Sequence, residues 1–468
     1  MGSEICWMSA VDMAAAVREK KLSPVETTGA VIRRIEEVNG KVNAVCTLAA
    51  DTAIAAARQA EKEITAGTAP GPLCGVPVTI KDLNYTAGIK TTFGSKLYEN
   101  YIPDQDDVLV TRLKRAGAIV VGKTNTPEFG LIGMTDNNVF GPSFNPWKLD
   151  RTPGGSSGGA GAAAAAGFGP IHQGSDGGGS IRIPSSFCGV YGIKPHFGRV
   201  PHHPRKYGFE TLSTMGPITR TVADAALMLQ VMAGPYPWDR QSLPRQDIDF
   251  TSAPGKEIKG LRMAWTPDLG YAPVDPEVKS ICTAAARKFE AAGCKVEEIN
   301  PDLISTDFEW LIMVLTETAA ANEERREEWE AVMYRHYRPF IPMADGFKAT
   351  DIAKALFKRH ELGVRVARIF EQYDVLLTPT MPVTAFKAGE LGPAQIDGKD
   401  APPTAMASFT IPFNMTGQPA ASVPCGFTAE GLPVGLQIVG RPYDELTVLA
   451  VSAAFERISP WIDRRPEI

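Results

Sequence analysis

Serine residues flanked by glycines occur in two segments of the chain, and both segments could support nucleophilic chemistry. The first covers residues 153–159 and contains Ser156; the second covers residues 174–182 and contains Ser180. Glycine on both sides of a serine permits positive φ angles and lets another group approach closely. In the second segment the successive backbone N–H groups of residues 177–180 could converge on a developing oxyanion. A serine beside such donors supplies the nucleophile and the oxyanion stabilisation that acyl transfer requires, but not the base.

A serine hydroxyl also needs a base, and the sequence offers histidine or lysine. The six histidines are dispersed and form no evident Ser/His/Asp arrangement. Lys81 directly follows the apolar run at residues 77–80, so it is expected at the end of a largely apolar strand. Desolvation there lowers the pKa of a lysine towards a value useful for a base. An exposed strand-end lysine is the commoner outcome of this pattern, so periodicity alone leaves its role open.

Three other interpretations apply to the glycine-rich segments. A flexible linker does not fit, because the helix-forming alanines of residues 160–166 separate the two segments. A phosphate-binding loop does not fit either, since neither segment contains GxxxxGK[ST]. The pattern around Ser156 does match the nucleophile elbow of α/β-hydrolases, with His336 or His360 as the base. An elbow needs a strand before it, whereas residues 144–153 predict a loop.

Composition limits the class of protein. The 468 residues carry a net charge of −5 with a sequence pI near 5.8, so no basic field favours nucleic acid or an anionic membrane. The first residues lack the pattern of a signal peptide, and no apolar run is long enough to span a bilayer. Seven scattered cysteines without a CxxC motif argue against disulfides and zinc. We expect a cytoplasmic protein with no metal site, no nucleic-acid partner and no membrane attachment.

The elements that must position these residues follow an α/β pattern. Residues 1–65 predict a helical segment, in which Ser23 and Glu26 form a capping box ahead of apolar residues at helical spacing. From residue 66 onwards short apolar runs alternate with helical patterns, which predicts an α/β core over residues 66–468. No interior stretch has the composition of a linker, so a single domain over residues 1–468 is predicted. Residues 317–338 predict a charged helix that is a solvated face, a lid or a subunit contact.

Several motifs together give the chain a family resemblance. Gly154-Gly155-Ser156-Ser157-Gly158-Gly159 and Gly174-Ser175-Asp176-x-Gly178-Gly179-Ser180-Ile181-Arg182, within residues 145–200, resemble the amidase signature family. The resemblance extends to Ile80-Lys81-Asp82, Gly122-Lys123-Thr124-Asn125, Thr378-Pro379-Thr380 and Gly417-Gln418-Pro419, in the order of that family. It therefore covers nearly the whole chain.

This resemblance implies an α/β/α fold with a large mixed central β-sheet flanked by helices, and a Ser-Ser-Lys triad. Lys81 is then the base, Ser156 the bridging serine after a cis peptide bond, and Ser180 the nucleophile. No cofactor is implied. The remaining implied residues are the oxyanion hole (Gly177, Gly178, Gly179 and Ser180), supporting residues (Ser157, Asp176 and Arg182) and the substrate pocket (Gly130 and Leu131).

The activity implied is hydrolysis of a carboxylic amide C–N bond through a Ser180 acyl-enzyme, with side activity on esters, anilides and carbamates (urethanes). The partner is a small-molecule substrate, and the chain is expected to be a monomer or homodimer. Residues 130–135, 308–316 and 401–406 are expected to set specificity. The alternative within the resemblance is the glutaminase subunit of a tRNA-dependent amidotransferase, whose RR-x-x-LGTY-like segment is missing from residues 300–340.

The chain departs from the family pattern at a few positions. Gly177 stands where a threonine or serine is usual, and Ala160 where a serine is common, but neither position carries a triad group. His172 and Gln173, just before the second motif, are also unusual. Packing at a strand end is the favoured interpretation of this pair over contact with substrate.

Overall fold

A large sheet runs through the chain. The computed structural model describes residues 2–68, 71–205 and 211–468. A separate two-stranded hairpin is formed by β10 and β11. The strands are β1 (Val45–Leu48), β2 (Pro77–Lys81), β3 (Ile119–Thr124), β4 (Ile171–Asp176), β5 (Tyr191–Lys194), β6 (Thr214–Thr219), β7 (Arg262–Trp265), β8 (Lys295–Glu298), β9 (Val375–Pro379), β10 (Gln395–Ile396), β11 (Lys399–Asp400), β12 (Ala420–Phe427) and β13 (Pro433–Val439).

Helices connect most of these strands. Short 3₁₀ turns complete the connections, for example Glu128–Gly130. The α-helices are α1 (Gly2–Ile5), α2 (Ala10–Arg18), α3 (Pro24–Val42), α4 (Ala50–Thr65), α5 (Val108–Arg115), α6 (Gly158–Ala165), α7 (Arg182–Cys188), α8 (Val222–Met232), α9 (Pro276–Ala291), α10 (Asp307–Asn322), α11 (Arg326–Val332), α12 (Phe340–Gly346), α13 (Ala349–Gln372), α14 (Ile411–Met415) and α15 (Glu445–Ile458).

The sheet mixes parallel and antiparallel pairs. Among the described residues it has 11 strands in the order β1-β3-β2-β4-β6-β5-β12-β13-β9-β7-β8. At its centre β2 is parallel to both β3 and β4. The carboxyl ends of parallel strands meet at one edge of a sheet, which is where ligands bind in α/β folds. The end of β2 at Lys81 and the end of β4 at Asp176 therefore lie at the same edge.

Helices cover both faces of the sheet, as its side chains show. In β3, Ile119 and Val121 pack into a core that includes Val31 of α3. The residue between them, Val120, packs into the larger core with Leu109 of α5. Successive side chains of a strand point to opposite faces, so each face has its own hydrophobic core. The predicted α/β/α architecture with a large mixed sheet is confirmed.

The N-terminal prediction was wrong in one respect. Residues 1–65 were predicted to be helical, but Val45–Leu48 forms β1 and pairs with β3 in antiparallel fashion at an edge of the sheet. Four residues are too few to show a period against the surrounding helices. The capping box at Ser23 is present as predicted, with Glu26 accepting from the Ser23 backbone N–H.

The predicted charged helix over residues 317–338 is also interrupted. Helix α10 ends at Asn322 and α11 spans only Arg326–Val332, after which Met333 is extended. The backbone N–H of Tyr334 donates to the buried Glu128 carboxylate at 2.7 Å. This tertiary contact replaces the hydrogen bond that a continuing helix would make.

Candidate active site

Lys81, the last residue of β2, has its side chain inside the protein and points at two serines. Its Nζ lies 2.8 Å from Ser156 Oγ and 3.0 Å from Ser175 Oγ. Its backbone N–H donates to Gln173 Oε1 on the neighbouring strand β4 at 3.0 Å. The strand pairing fixes the lysine backbone, and the two hydroxyls fix its amine.

The surroundings of Lys81 favour its neutral form. The side chain has no exposed surface. Burial lowers the pKa of Lys81 well below its usual value, and the negative charge of Asp176 opposes this shift only in part. A neutral amine beside a serine hydroxyl can accept a proton, which an ammonium cannot do.

The first glycine-rich segment holds Ser156 in a fixed position. The Gly155-Ser156 peptide bond is cis, as the family resemblance implied. Ser157 Oγ accepts from the Ser175 backbone N–H at 3.2 Å and donates to the Ser175 carbonyl at 3.1 Å. The two serine segments are thus joined through the residue that follows Ser156 and the residue that contacts Lys81.

Helix α6 brings the first segment close to the sheet because its residues are so small. All of its eight residues, glycines and alanines, are buried. A Cβ on Gly159 would lie 2.4 Å from the Asn125 backbone nitrogen and 2.5 Å from the Ala44 carbonyl oxygen. No larger residue fits at this position, so the glycine content of the motif serves packing as well as serine presentation.

Ser180 lies between β4 and α7 and lines a large pocket. It is partly exposed, whereas Ser156 is only 2% exposed. The Ser180 carbonyl accepts from the Ser157 backbone N–H at 3.1 Å. Its hydroxyl makes no hydrogen bond to another described residue. The structure therefore brings Lys81 and Ser156 into direct contact and links Ser180 to them through the backbone.

The glycines before Ser180 differ in which N–H groups remain available. The Gly179 N–H donates to Asp176 Oδ1 at 2.7 Å, so it cannot also serve an oxyanion. The N–H groups of Gly177, Gly178 and Ser180 have no acceptor among the described residues. Of the four N–H groups that the family resemblance implied for the oxyanion hole, three therefore remain available.

Asp176 and Arg182 form a buried pair that shapes this loop. Arg182 Nη2 and Nε donate to the Asp176 carboxylate at 2.9 and 3.0 Å, and neither side chain is exposed. Burial alone would raise the pKa of Asp176, but Arg182 and the hydrogen bonds around it hold the pKa below its usual value. The carboxylate stays charged and anchors the loop through Gly179.

The pocket in front of Ser180 is large and mostly apolar, with a volume of about 470 Å³. All three segments predicted to set specificity contribute to it. Its described lining contains no lysine, arginine or histidine and a single acidic residue, Asp307. Burial raises the pKa of Asp307 to about 6. The lining includes Gly130, Leu131, Ile132, Gly133, Gly178, Ser180, Phe308, Trp310, Leu311, Val314, Leu315, Trp329, Tyr337, Met406 and Ile411.

Gly130 lies where the pocket meets the proposed catalytic group. Its φ is +74°, and a Cβ there would lie 3.2 Å from Ser156 Oγ and 2.8 Å from Leu83 Cδ1. Both the backbone conformation and the available space require glycine. The predicted pocket residue thus also leaves room for the Ser156 hydroxyl.

The charged segment around α11 forms a wall of the pocket. Its charged groups pair at the surface, for example Arg326 with Glu330 at 2.6 Å. Its aromatic groups face inward, where Trp329 Nε1 donates to Glu128 Oε1 at 3.2 Å and Tyr337 OH donates to the Glu128 carbonyl at 2.6 Å. One face is solvated, as predicted, and the other encloses the substrate space.

The remaining candidates lie away from the chemistry. His172 is buried against Thr79, with its Nδ1 2.8 Å from Thr79 Oγ1, and neither it nor Gln173 lines the pocket. His336 contacts the Gly389 carbonyl at 3.2 Å, and His360 is exposed on α13. Residues 144–153 form a loop with only isolated bridges, so the strand of a nucleophile elbow is missing. The described residues contain no group of three or more His, Cys, Asp or Glu placed to hold a metal ion.

Sequence reasoning missed the contacts that several residues make at this site. Ser175 contacts Lys81, and Trp310 donates to the Gly177 carbonyl. Thr410 and Asn414 hydrogen-bond to the Gly178 carbonyl and to Asp176. Ser175 adjoins the motif and had a local signal. The other three are more than 130 residues away in the chain from the groups they bind, so no local pattern reveals them.

Comparison with known proteins agrees with this architecture. The family model called Amidase matches residues 26–449. An acylamidase from Rhodococcus erythropolis is 40% identical over 464 residues, covering 98% of this chain and 97% of that protein. A component of the glutamyl-tRNA(Gln) amidotransferase of Moorella thermoacetica is 38% identical over 492 residues, covering 99% of each.

The solved structures and the helices of this chain add two findings. A bacterial aryl acylamidase of the amidase signature family superposes with a TM-score of 0.93 at 34% identity, covering 97% of both chains. Among the described residues, every helix is too short or too polar to traverse a bilayer. The chain belongs to the amidase signature family and is an enzyme that hydrolyses amide carbon–nitrogen bonds.

Proposed function

We propose that the chain cleaves amides through an acyl-enzyme on Ser180, with Lys81 as base and Ser156 as proton relay. Neutral Lys81 takes the proton of Ser156 while Ser156 takes the proton of Ser180. Ser180 Oγ bonds to the substrate carbonyl carbon, and the carbonyl π electrons move to its oxygen. The N–H groups of Gly177, Gly178 and Ser180 hold that oxyanion.

The intermediate then collapses and the amine leaves. The C–N bond breaks, and the proton held by Lys81 returns through Ser156 to the leaving nitrogen. Water next attacks the Ser180 ester, giving up a proton along the same relay. The C–O bond to Ser180 breaks, Ser180 recovers its proton, and the carboxylic acid is released.

One observation carries this proposal. It is the 2.8 Å contact between the fully buried Lys81 amine and Ser156 Oγ. A buried lysine with a lowered pKa and a hydroxyl partner has the form of a proton acceptor. The relay requires the free Ser180 hydroxyl to rotate towards Ser156.

The pocket favours an uncharged substrate with a bulky apolar group. Its volume of about 470 Å³ and its aromatic and aliphatic walls suit an aryl or branched alkyl substituent. Burying such a group contributes about 25 cal/mol per Å² of apolar surface. Anilides are the substrate class that this lining supports best, and aryl esters and carbamates are expected as side substrates.

Glutamine is the competing substrate, because several relatives are amidotransferase components. Free glutamine carries a carboxylate and an ammonium group at neutral pH. The described pocket lining contains no cationic side chain to pair with that carboxylate. Burying an unpaired charge in an apolar pocket is costly, so this lining supports a stand-alone amidase.

A substrate panel tests this proposal. The purified chain, with no other protein added, is assayed for kcat/KM on a neutral 4-nitroanilide, on the same anilide bearing a carboxylate, and on glutamine. We expect the neutral anilide to exceed the carboxylate analogue by at least about 100-fold, the cost of burying one unpaired charge. Preference for glutamine would overturn the substrate class.

We also propose that the protein acts in the cytoplasm as a monomer or homodimer. None of the seven cysteines forms a disulfide in the structure, and this includes Cys282 and Cys425, whose sulfurs are 3.9 Å apart. Cysteines without disulfide bonds are typical of a reducing compartment. Cell fractionation and light scattering of the purified chain test the two parts of this proposal.

A further inference from the structure

Trp310 of α10 contacts the glycine loop that precedes Ser180. Its indole Nε1–H donates to the Gly177 carbonyl at 2.8 Å, and its ring lines the apolar pocket. We propose that Trp310 is a positioning residue that aims the Gly178 N–H at the substrate oxyanion. This inference rests on the proposed function, because it concerns the donors that stabilise the Ser180 intermediate.

The Gly177 carbonyl and the Gly178 N–H belong to one trans peptide unit. The carbonyl and the N–H of one peptide unit point in opposite directions. Holding the Gly177 carbonyl on the side of Trp310 therefore turns the Gly178 N–H, in the same unit, to the other side. Trp310 is the hydrogen-bond partner that the described residues provide for this peptide unit.

The next peptide unit has different anchors. The Gly178 carbonyl accepts from Thr410 Oγ1 at 2.7 Å, and the Gly179 N–H donates to Asp176 Oδ1 at 2.7 Å. Both ends of that unit are fixed by groups outside the pocket. Trp310 is the anchor that comes from the pocket wall itself.

The ring also packs directly on the loop. A Cβ at Gly178 would lie 2.6 Å from Trp310 Cζ2 and 2.9 Å from Cε2. Glycine is required here by the ring, and the backbone φ is not in the left-handed region. The indole thus holds the Gly177 carbonyl through the hydrogen bond and occupies the space that a side chain at Gly178 would need.

This arrangement links substrate fit to catalysis. Leu311, Val314 and Leu315, on the same helix as Trp310, line the pocket. A substrate group that fills this pocket contacts the same wall as the ring that orients the donor. Pocket occupancy is therefore expected to affect kcat as well as KM.

The test replaces Trp310 with phenylalanine, which keeps an aromatic ring and removes the N–H. Trp147→Phe is the matched control, because Trp147 is also half-buried and its Nε1 donates to a backbone carbonyl, that of Cys188, at 2.7 Å. Trp147 does not line the pocket. We measure kcat and KM on the neutral anilide. We also measure the inhibition constant of a trifluoromethyl ketone, because Ser180 adds to the carbonyl carbon of such a ketone and forms an oxyanion.

We expect Trp310→Phe to lower kcat by about 10-fold or more while KM changes by less than about 3-fold, as loss of a transition-state interaction does. The inhibition constant of the ketone should rise by a similar factor. Trp147→Phe should keep both kinetic constants. A kcat for Trp310→Phe equal to that of Trp147→Phe, or a change in KM alone, overturns the inference.

Two further variants separate this inference from the proposed function. Ser180→Ala should be inactive; if it hydrolyses the anilide normally, the proposed function fails whatever Trp310 does. If Trp310→Phe does not fold, benzothienylalanine at position 310 keeps the bicyclic shape and removes the N–H. The same loss of kcat is expected, and an unchanged kcat overturns the inference.

Discussion

The proton acceptor that we propose for this site is a lysine, Lys81, and its chemistry depends on how far burial lowers its pKa. The free amine needed for the relay is lost when Lys81 is protonated, so activity should fall as pH drops through its lowered pKa. We expect Lys81→Ala to lower kcat by about 10²- to 10⁴-fold and to remove this acid limb. Profiles of kcat and kcat/KM against pH, for the native chain and for Lys81→Ala, measure both effects.

Another buried lysine serves as the control for this prediction. Burial lowers the pKa of Lys194 to about 7, and its Nζ donates to the Pro195 carbonyl at 3.1 Å. Lys194→Met should keep the acid limb, because Lys194 contacts neither serine. If Lys194→Met loses the acid limb and Lys81→Ala keeps it, the assignment of the base is wrong.

Individual residues differed in how far the sequence alone could assign them. The proposed role of Ser180 follows from its own neighbours, since three successive glycines whose N–H groups could act as donors sit directly before it in the chain. The role of Lys81 as base does not follow from its neighbours, because a lysine at a strand end can be buried or exposed. Only the family resemblance implied that role. The structure supplies the physical reason, which is complete burial beside two hydroxyls.

At the scale of elements, Arg182 joins three parts of the fold. At the start of α7 it pairs with Asp176 of β4, and it donates to the Thr410 carbonyl before α14 at 3.0 Å and to Gln437 of β13 at 2.8 Å. Arg182→Met leaves the Asp176 charge buried without its partner. We expect the free energy of unfolding at pH 8 to fall by about 3–5 kcal/mol.

The pH dependence of that variant has a definite sign. In the native chain the pKa of Asp176 is held below its usual value, so its carboxylate contributes stability above pH ~4 that is lost as pH falls. Without Arg182, burial dominates and raises the pKa of Asp176 above its usual value. The stability deficit should therefore shrink as pH falls from 8 to 5, measured by urea unfolding. A stability deficit that grows as pH falls would contradict this expectation. The control is Arg287→Met, which removes an exposed ion pair and should lower the free energy of unfolding by no more than about 1 kcal/mol.

Elements with strong local signals were predictable, and those set by tertiary contacts were not. The capping box of α3 and the apolar run of β2 depend on neighbouring residues, and the structure contains both. The strand β1 forms because the edge of β3 is available, where Gly122 leaves room for the Thr47 carbonyl. The end of α11 at Val332 follows from Glu128, about 200 residues earlier, which binds Trp329 and Tyr334.

At the scale of the whole molecule, the sheet unites distant parts of the chain. Its strands extend from Val45 in β1 to Val439 in β13, and α15 packs on β12. This continuity supports our proposal that residues 1–468 form a single domain. Far-UV circular dichroism and tryptophan fluorescence should then report one coincident thermal transition. Two separate transitions would contradict a single domain.

The sheet topology also explains where the site lies. Parallel β2 and β4 deliver Lys81 and Asp176 to one edge, and the glycine-rich segments before β4 and at its end place Ser156 and Ser180 there. Helices α10 and α11 then add a wall of the pocket, of which the α10 part lies in the predicted segment 308–316, whereas Trp329 of α11 was not indicated by the sequence. We propose that the catalytic groups lie at this edge of the sheet and that these later helices contribute to specificity.

The most direct test of the central claim is the mass of the intact protein quenched during turnover of a slow aryl ester or anilide. The account predicts a mass increase equal to the acyl group, located by peptide mapping on Ser180. Ser180→Ala should show neither the added mass nor turnover. Acylation of Ser156 in its place, or normal hydrolysis by Ser180→Ala, would contradict the account.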